Sequence, residues 1–285
     1  MARELPEQGM TDATHRAAVA ERAARAGGTV AREMFRDKFA VETKTDKNDL
    51  VSEADTATQR QVIATIATEF PDATLVCEEE LDSADVAGDV RLVEELPDTG
   101  DVWVVDPIDG TGNFVRGIRF WATVVAAVTD GETVGAATVL PALGDSYTAG
   151  PEGVSLNDQS IRVSGSDDPE AFAVGLNGWW PVHGGTEFTP LFQATIDRFG
   201  DVRRFGSMQG ALALVASGSL DAAFMPRTPH PWDSIAGVCL IRRAGGTVTD
   251  RHGNPWRPDS DGLVVSNGQA HDTVVDVFQE VPVFS

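Results

Sequence analysis

Residues 102–114 read Val-Trp-Val-Val-Asp-Pro-Ile-Asp-Gly-Thr-Gly-Asn-Phe, and no other stretch constrains the fold as much. Trp103, Val104 and Val105 are a short apolar run of strand formers, Pro107 then removes a backbone donor, and Gly110 and Gly112 permit the torsions that end a strand. Asp106 and Asp109 therefore stand where a buried strand stops. The two carboxylates, with the Ile108 carbonyl between them, offer hard oxygens to a hard cation such as Mg2+, which keeps its waters and favours a few carboxylates. Thr111 adds a hydroxyl able to orient one of those waters. Taken alone, the segment also reads as a strand closed by an Asp/Gly turn, because both residues favour turns for local reasons.

The chain has 285 residues, enough for one large domain or two modest ones. Its 22 basic residues against 44 acidic ones give a net charge of −22, a field that repels nucleic acid and anionic membranes, so neither is an expected partner. Lys38, Lys44 and Lys47 are the only lysines, and this acidic, lysine-poor surface suits concentrated salt, where screening removes the self-repulsion. Cys77 and Cys239 cannot make a disulfide framework, and neither a leader nor a membrane-length apolar run is visible, so the expected protein is soluble and cytoplasmic.

In chain order, Thr11 or Asp12 can cap a helix running toward Phe39, with Gly27-Gly28 expected to loosen its middle. The polar residues 44–55 hold a small Leu50-Val51 anchor and lead to a second helix whose Val62, Ile63, Ile66 and Phe70 share one face. A short strand at 74–77 runs into Glu78-Glu79-Glu80, which on its own reads as a solvated edge. Segments 122–128 and 133–140 flank Asp130-Gly131, a hairpin signal, and Asn157-Asp158 marks another turn. From about residue 166 helices and strands alternate: strands at 171–176, 202–205, 222–225, 247–250 and 262–266, and helices at 188–199, from 207 toward Gly218, from Asp233 to Gly245-Gly246, and at 272–279. The expected division is an α+β subdomain over 1–150 and an α/β subdomain over 151–285.

Four segments together resemble the signatures of the inositol monophosphatase family of metal-dependent, lithium-sensitive phosphatases. Asp106-Pro107-Ile108-Asp109-Gly110-Thr111-Gly112-Asn113-Phe114 matches its main motif at every defined position, and Trp232-Asp233-Ser234-Ile235-Ala236-Gly237 matches a second with Ile for Ala. Cys77-Glu78-Glu79 and Asp49-Leu50-Val51-Ser52-Glu53-Ala54-Asp55 correspond to two more, in the right order. The resemblance implies an α+β fold, a layered α/β/α/β/α sandwich, assembled as a homodimer with the site where the two subdomains meet. It implies two or three Mg2+ ions, replaceable by Mn2+ and opposed by Li+. Glu78, Asp106 and the Ile108 carbonyl would hold the first; Asp106, Asp109 and Asp233 the second; Glu78 and Asp55, through waters, a weaker third. Glu78 and Thr111 would orient a water for in-line attack on phosphorus, and the Gly110 and Thr111 N–H groups would bind phosphate oxygens. Lys44 falls near the expected entrance, and is equally a solvated lysine.

The substrate that the resemblance implies is a small phosphorylated polyol or sugar. In inositol-specific members a Glu seven residues before the Trp-Asp aspartate contacts ring hydroxyls; here Pro226 stands there, followed by Arg227. An Arg can grip a second phosphate bidentately, which moves weight toward fructose 1,6-bisphosphate, with 3′-phosphoadenosine 5′-phosphate a third choice. Arg204 and Ser207, in an Arg-x-x-Gly-Ser-like segment, are further candidates for the substrate rim, although either arginine can equally be an ion-pair partner in so acidic a chain. Trp179-Trp180 fits either a rim or packing at an interface, and the histidines show no ligand spacing. A relative that binds metal or phosphate without turnover is the non-enzymatic alternative, against which Glu78, Asp106, Asp109, Thr111 and Asp233 are all intact.

Overall fold

The computed structural model describes residues 7–36, 41–43, 50–82, 86–178, 185–279 and 281. In order, the first half contains α1 (Glu7–Met34), β1 (Val41–Thr43), β2 (Leu50–Ser52), α2 (Glu53–Ala67), β3 (Thr74–Cys77), β4 (Arg91–Leu92), β5 (Asp101–Asp109), α3 (Thr111–Val115), β6 (Ala122–Thr129), β7 (Glu132–Leu140) and β8 (Asp145–Gly150). It continues with β9 (Gly153–Leu156), β10 (Gln159–Ser160), β11 (Ala173–Leu176), α4 (Gly185–Ile196), β12 (Asp201–Arg203), α5 (Met208–Ala216), β13 (Ala222–Met225), α6 (Pro231–Arg243), β14 (Thr247–Thr249), β15 (Leu263–Ser266) and α7 (His271–Gln279).

An eight-stranded sheet runs β10-β9-β8-β7-β6-β5-β3-β4, antiparallel except where β3 lies parallel to β4 and β5. A five-stranded mixed sheet runs β12-β11-β13-β15-β14. The central strands are buried on both faces, and their side chains alternate between the two with the period of two that a strand imposes. On β5, Trp103 and Val105 pack with Val62, Ile63 and Ile66 of α2 and the alanines of α1. Val102 and Val104 face the other way, into a core built from α5, α6 and the inner face of the second sheet. The far face of that sheet, Val174, Phe224 and Val264, is covered by Leu191 of α4 and Val274 and Phe278 of α7. Five layers result, α/β/α/β/α, and the fold is α+β.

Local chemistry explains most boundaries. Asp130 and Gly131 take φ of 49° and 78°, and Asn157 and Asp158 take 48° and 64°, the doubly left-handed turns of tight hairpins. The first helix stops at Met34 rather than near Phe39. Gly27-Gly28 does not loosen it: a Cβ on Gly27 would stand 2.5 Å from Val62 Cγ2, and one on Gly28 2.8 Å from Pro141 Cγ. The pair lets α1 press against α2 and the end of β7. Strand β12 ends at Arg203, earlier than expected, because Phe205 turns to pack on Phe120 with ring centroids 4.9 Å apart. Helix α6 begins at Pro231, where a missing N–H costs nothing, so Asp233 lies inside its first turn. No described helix is long and apolar enough to cross a membrane. Lys44, Trp179-Trp180 and His183 lie outside the described residues.

Candidate active site

Strand parity aims the first two carboxylates. Cys77 of β3 lies opposite Val105 of β5, and the Glu78 N–H continues the ladder by bonding the Val105 carbonyl at 3.1 Å. Val76 and Val104 face the middle helical layer, so Glu78 and Asp106, two positions on, face it side by side. The ladder between β5 and β6 then shifts register between Asp106 and Asp109, as Pro107 and Ile108 leave the regular pairing. Gly110 turns the chain with φ of 91°, and a Cβ there would lie 2.9 Å from the Gly206 carbonyl, so glycine is required on both counts. Beneath the turn, Phe114 meets Trp121 edge-on with centroids 4.9 Å apart, an aromatic contact of about 1 kcal/mol that fixes α3.

Asp109 is held by the start of α5. Its Oδ1 accepts from Met208 N at 2.9 Å; its Oδ2 accepts from Gly210 N at 3.2 Å and from the Ser207 hydroxyl. The helix N-terminus favours this negative charge. Asp233 approaches from the first turn of α6, and single oxygens of Asp106, Asp109 and Asp233 lie within 4.8 Å of one another. A second set, Asp55 on α2 with Glu78 and Glu79, meets the same criterion. Asp55 is fully buried, and Thr111 Oγ1 lies 3.2 Å from its Oδ1 and 3.0 Å from the Ile108 carbonyl. The hydroxyl has one proton for two acceptors, so its lone pairs stay available to a third group.

Glu78 Oε2 and Asp106 Oδ1 are buried with no hydrogen-bond partner. Burial drives both carboxyls well above their ordinary range, with Asp233, Asp55 and Glu79 adding to the rise at Glu78, and Glu78, Asp109 and Asp233 at Asp106. Burial, then the Asp109 charge, pushes Asp233 up to about 7. Asp109 also rises through burial, but Ser207 and the Gly210, Met208 and Gln209 N–H groups pull it back down. Buried carboxylates without donors need a counter-charge, and an all-oxygen set suits Mg2+ by hardness. The residues fit such an ion.

Around this core, Ser207 caps α5 by accepting from Gly210 N at 3.2 Å while giving its proton to Asp109. Arg204 and Arg227 are exposed, and Arg204 donates to the Gly178 carbonyl at 3.2 Å. Sequence reasoning passed over three side chains that hold these pieces. Asn113 donates to the carbonyls of Phe120 and Phe205, both at 2.7 Å. Gln59 and Gln209 are fully buried and bond the backbone beside Glu78 and Asp233. Each glutamine had a signal: Gln209 is the one polar side chain in the apolar helix Met208–Ala216, and Gln59 lies one turn from Asp55 on the stripe of Val62, Ile63 and Ile66.

The pattern of the inositol monophosphatase family matches residues 12–282, across every segment just described. The chain belongs to this family. It is a phosphoric monoester hydrolase, and the family uses divalent metal. Over 244 residues, 85% of this chain and 87% of the relative, it is 34% identical to a Thermotoga maritima protein named fructose-1,6-bisphosphatase/inositol-1-monophosphatase. Over 237 residues, 81% and 84% of the two chains, it is 31% identical to the Escherichia coli protein named Nus factor SuhB. The solved IMPase of Thermotoga maritima superposes with a TM-score of 0.82 at 29% identity, covering 93% of this chain and 97% of that one.

Proposed function

We propose that this member of the family hydrolyses the phosphate monoester of a small polyol of the inositol 1-phosphate kind, with Mg2+. The observation that carries the reading is the convergence of Asp106, Asp109 and Asp233 within 4.8 Å, next to donorless buried oxygens on Glu78 and Asp106. Glu78, Asp106 and the Ile108 carbonyl would hold one ion; Asp106, Asp109 and Asp233 a second; Asp55 and Glu78 a third through waters. Such ions supply charge neutralisation for the phosphoryl group and its leaving oxygen, and they acidify water.

The chain's own residues do the positioning. Thr111 spends its proton on Asp55 or Ile108 and offers lone pairs to an attacking water, which Glu78 holds from the other side in line with phosphorus. The Gly110 and Thr111 N–H groups receive phosphate oxygens at the end of β5. Hydrolysis is direct, with no covalent phosphoenzyme. Ser207 is assigned to holding Asp109 rather than to touching substrate. Lys44, Arg204 and Arg227 are the candidates for the entrance and rim.

Fructose 1,6-bisphosphate is the second reading, favoured by Arg227 next to Pro226, which stands where inositol-specific members carry a Glu, and by the double name of the Thermotoga maritima relative. A nucleotide such as 3′-phosphoadenosine 5′-phosphate is third. The test is phosphate release from the three substrates side by side. Turnover of one of them, abolished by EDTA, restored by Mg2+ or Mn2+ and inhibited by Li+, supports the reading. Failure of EDTA to reduce turnover would sink it. We further propose a cytoplasmic homodimer adapted to salt: its melting temperature should climb as KCl is raised, and a flat response counts against adaptation.

A further inference from the structure

The two carboxylate sets are each reached by one buried amide. On the side of Glu78, Gln59 of α2 donates through Nε2 to the Glu79 carbonyl at 2.6 Å and accepts the Glu79 N–H on Oε1 at 3.0 Å. Both polar atoms of that peptide position are thus locked to a helix in the outer layer, although β3 has already ended at Cys77. On the side of Asp233, Gln209 of α5 donates to the Trp232 carbonyl at 2.5 Å and accepts from Gly237 N at 2.8 Å. Those two groups bracket Asp233 on α6. Gln209 itself lies between Met208 and Gly210, whose N–H groups hold Asp109.

We infer that Gln59 and Gln209 are positioning residues that set the two carboxylate sets independently: Gln59 fixes where Glu78 stands, and Gln209 fixes the separation of Asp233 from Asp109. The physical case rests on burial and saturation. Each amide is fully buried, and its oxygen and its nitrogen both bond backbone, so no rotation about the side chain is free. A helix bonded at two points five residues apart cannot turn freely about its axis, and a turn of α6 is the motion that would carry Asp233 away from Asp109. Neither residue touches the reacting atoms. This inference rests on the proposed metal-dependent reading of the site.

The experiment is Mn2+ binding to the full chain, read by calorimetry and by the Mn2+ resonance signal, for wild type, Gln59→Met, Gln209→Met, Asp233→Asn and the two double variants with Asp233→Asn. Methionine keeps the volume and deletes both bonds. Outer residues that orient ligands typically contribute 10–100-fold to metal affinity, so each single variant should weaken Mn2+ binding by roughly that factor. On the Asp233→Asn background Gln209→Met should add nothing, because its ligand is already gone, whereas Gln59→Met should keep its full effect. Additive losses for Gln209→Met, or unchanged Mn2+ affinity in either single variant, would overturn the inference. If Gln209→Met does not fold, Gln209→Glu keeps the acceptor for Gly237 and loses the donor to Trp232; it should give a smaller loss with the same absence of additivity. A wild type that binds no Mn2+ rejects the metal-dependent reading itself, and a wild type that binds normally beside an unaffected Gln209→Met rejects only the role of the glutamine.

Discussion

Asp109 and Asp106 sit three residues apart on one strand end, are both almost fully buried, and are treated oppositely by the protein. Asp109 receives two backbone N–H groups and a hydroxyl from the start of α5, so most of its charge is answered from within the chain. Asp106 has an oxygen with no donor, and its nearest charged neighbours include Glu78, whose own Oε2 is in the same state. One carboxylate therefore works as a strut between the end of β5 and the start of α5. The other is stored charge that becomes favourable only with a cation. A cluster of acids is in this sense not one feature but two.

The largest test of the contrast is activity. Asp106→Asn should lower turnover by about 10³-fold or more, the scale seen when a group that offsets transition-state charge is removed. It should also raise the melting temperature of the metal-free protein at pH 8, because a buried unpaired charge disappears. Asp109→Asn should lower turnover and destabilise by about 2 kcal/mol, since the new amide N–H group faces donors where an oxygen accepted them. Thermal melts with and without EDTA read both variants. The same sign of stability change in the two would erase the distinction.

The second test is pH. With a carboxyl raised to about 7 in the fold, against 3.8 as its ordinary value, Asp233 holds its proton in the native state where the unfolded chain has lost it. Its contribution to stability is fully present below about pH 3.8 and is lost as pH rises through about 7. The metal-free protein should therefore gain stability on acidification from pH 8 toward pH 5, and Asp233→Asn should flatten that rise. Saturating Mg2+ should flatten it too, by holding Asp233 ionised. A variant as steep as wild type would assign the response to general charge repulsion at −22 instead.

What the sequence disclosed divides along the same line. Many of the elements were legible because their causes are local: apolar runs of strand formers on β5 and β6, left-handed turns at Asp130-Gly131, an apolar stripe on α2. The Asp106 and Asp109 pair was legible from the strand end, but that Asp233 joins it was legible only through the family signatures, since 123 residues lie between Asp109 and Asp233 and no periodicity spans them. Triple Glu78-Glu79-Glu80 looks like a solvated edge until β3 is placed beside β5, whereupon Glu78 is turned inward. Gly27-Gly28 looked like a weak point because glycine lowers helix propensity, and tertiary contact decided otherwise: the missing side chains are what α2 and Pro141 require. Gln59, Asn113 and Gln209 act on the backbone of distant segments, and a sequence shows a side chain but not the carbonyl it will meet.

Ser207 gives the smallest expected effect and the finest separation of the two readings of this site. As a contact to substrate, the role its place in the Arg-x-x-Gly-Ser-like segment suggests, its loss would raise KM and leave stability alone. As the N-cap of α5 and a donor to Asp109, it supports the fold. Ser207→Ala would then remove a cap worth about 1 kcal/mol and lower the melting temperature by roughly 2–4 °C for a chain of this size. Asp109 would keep Met208 N and Gly210 N, so the strut would be weakened rather than broken, and KM should stay within about twofold while the Mg2+ concentration for half-maximal activity rises. A KM increase without a stability change would return Ser207 to the substrate. It would also mean that Asp109 is held by the α5 backbone alone, which narrows its difference from Asp106 to the two N–H groups of a helix end.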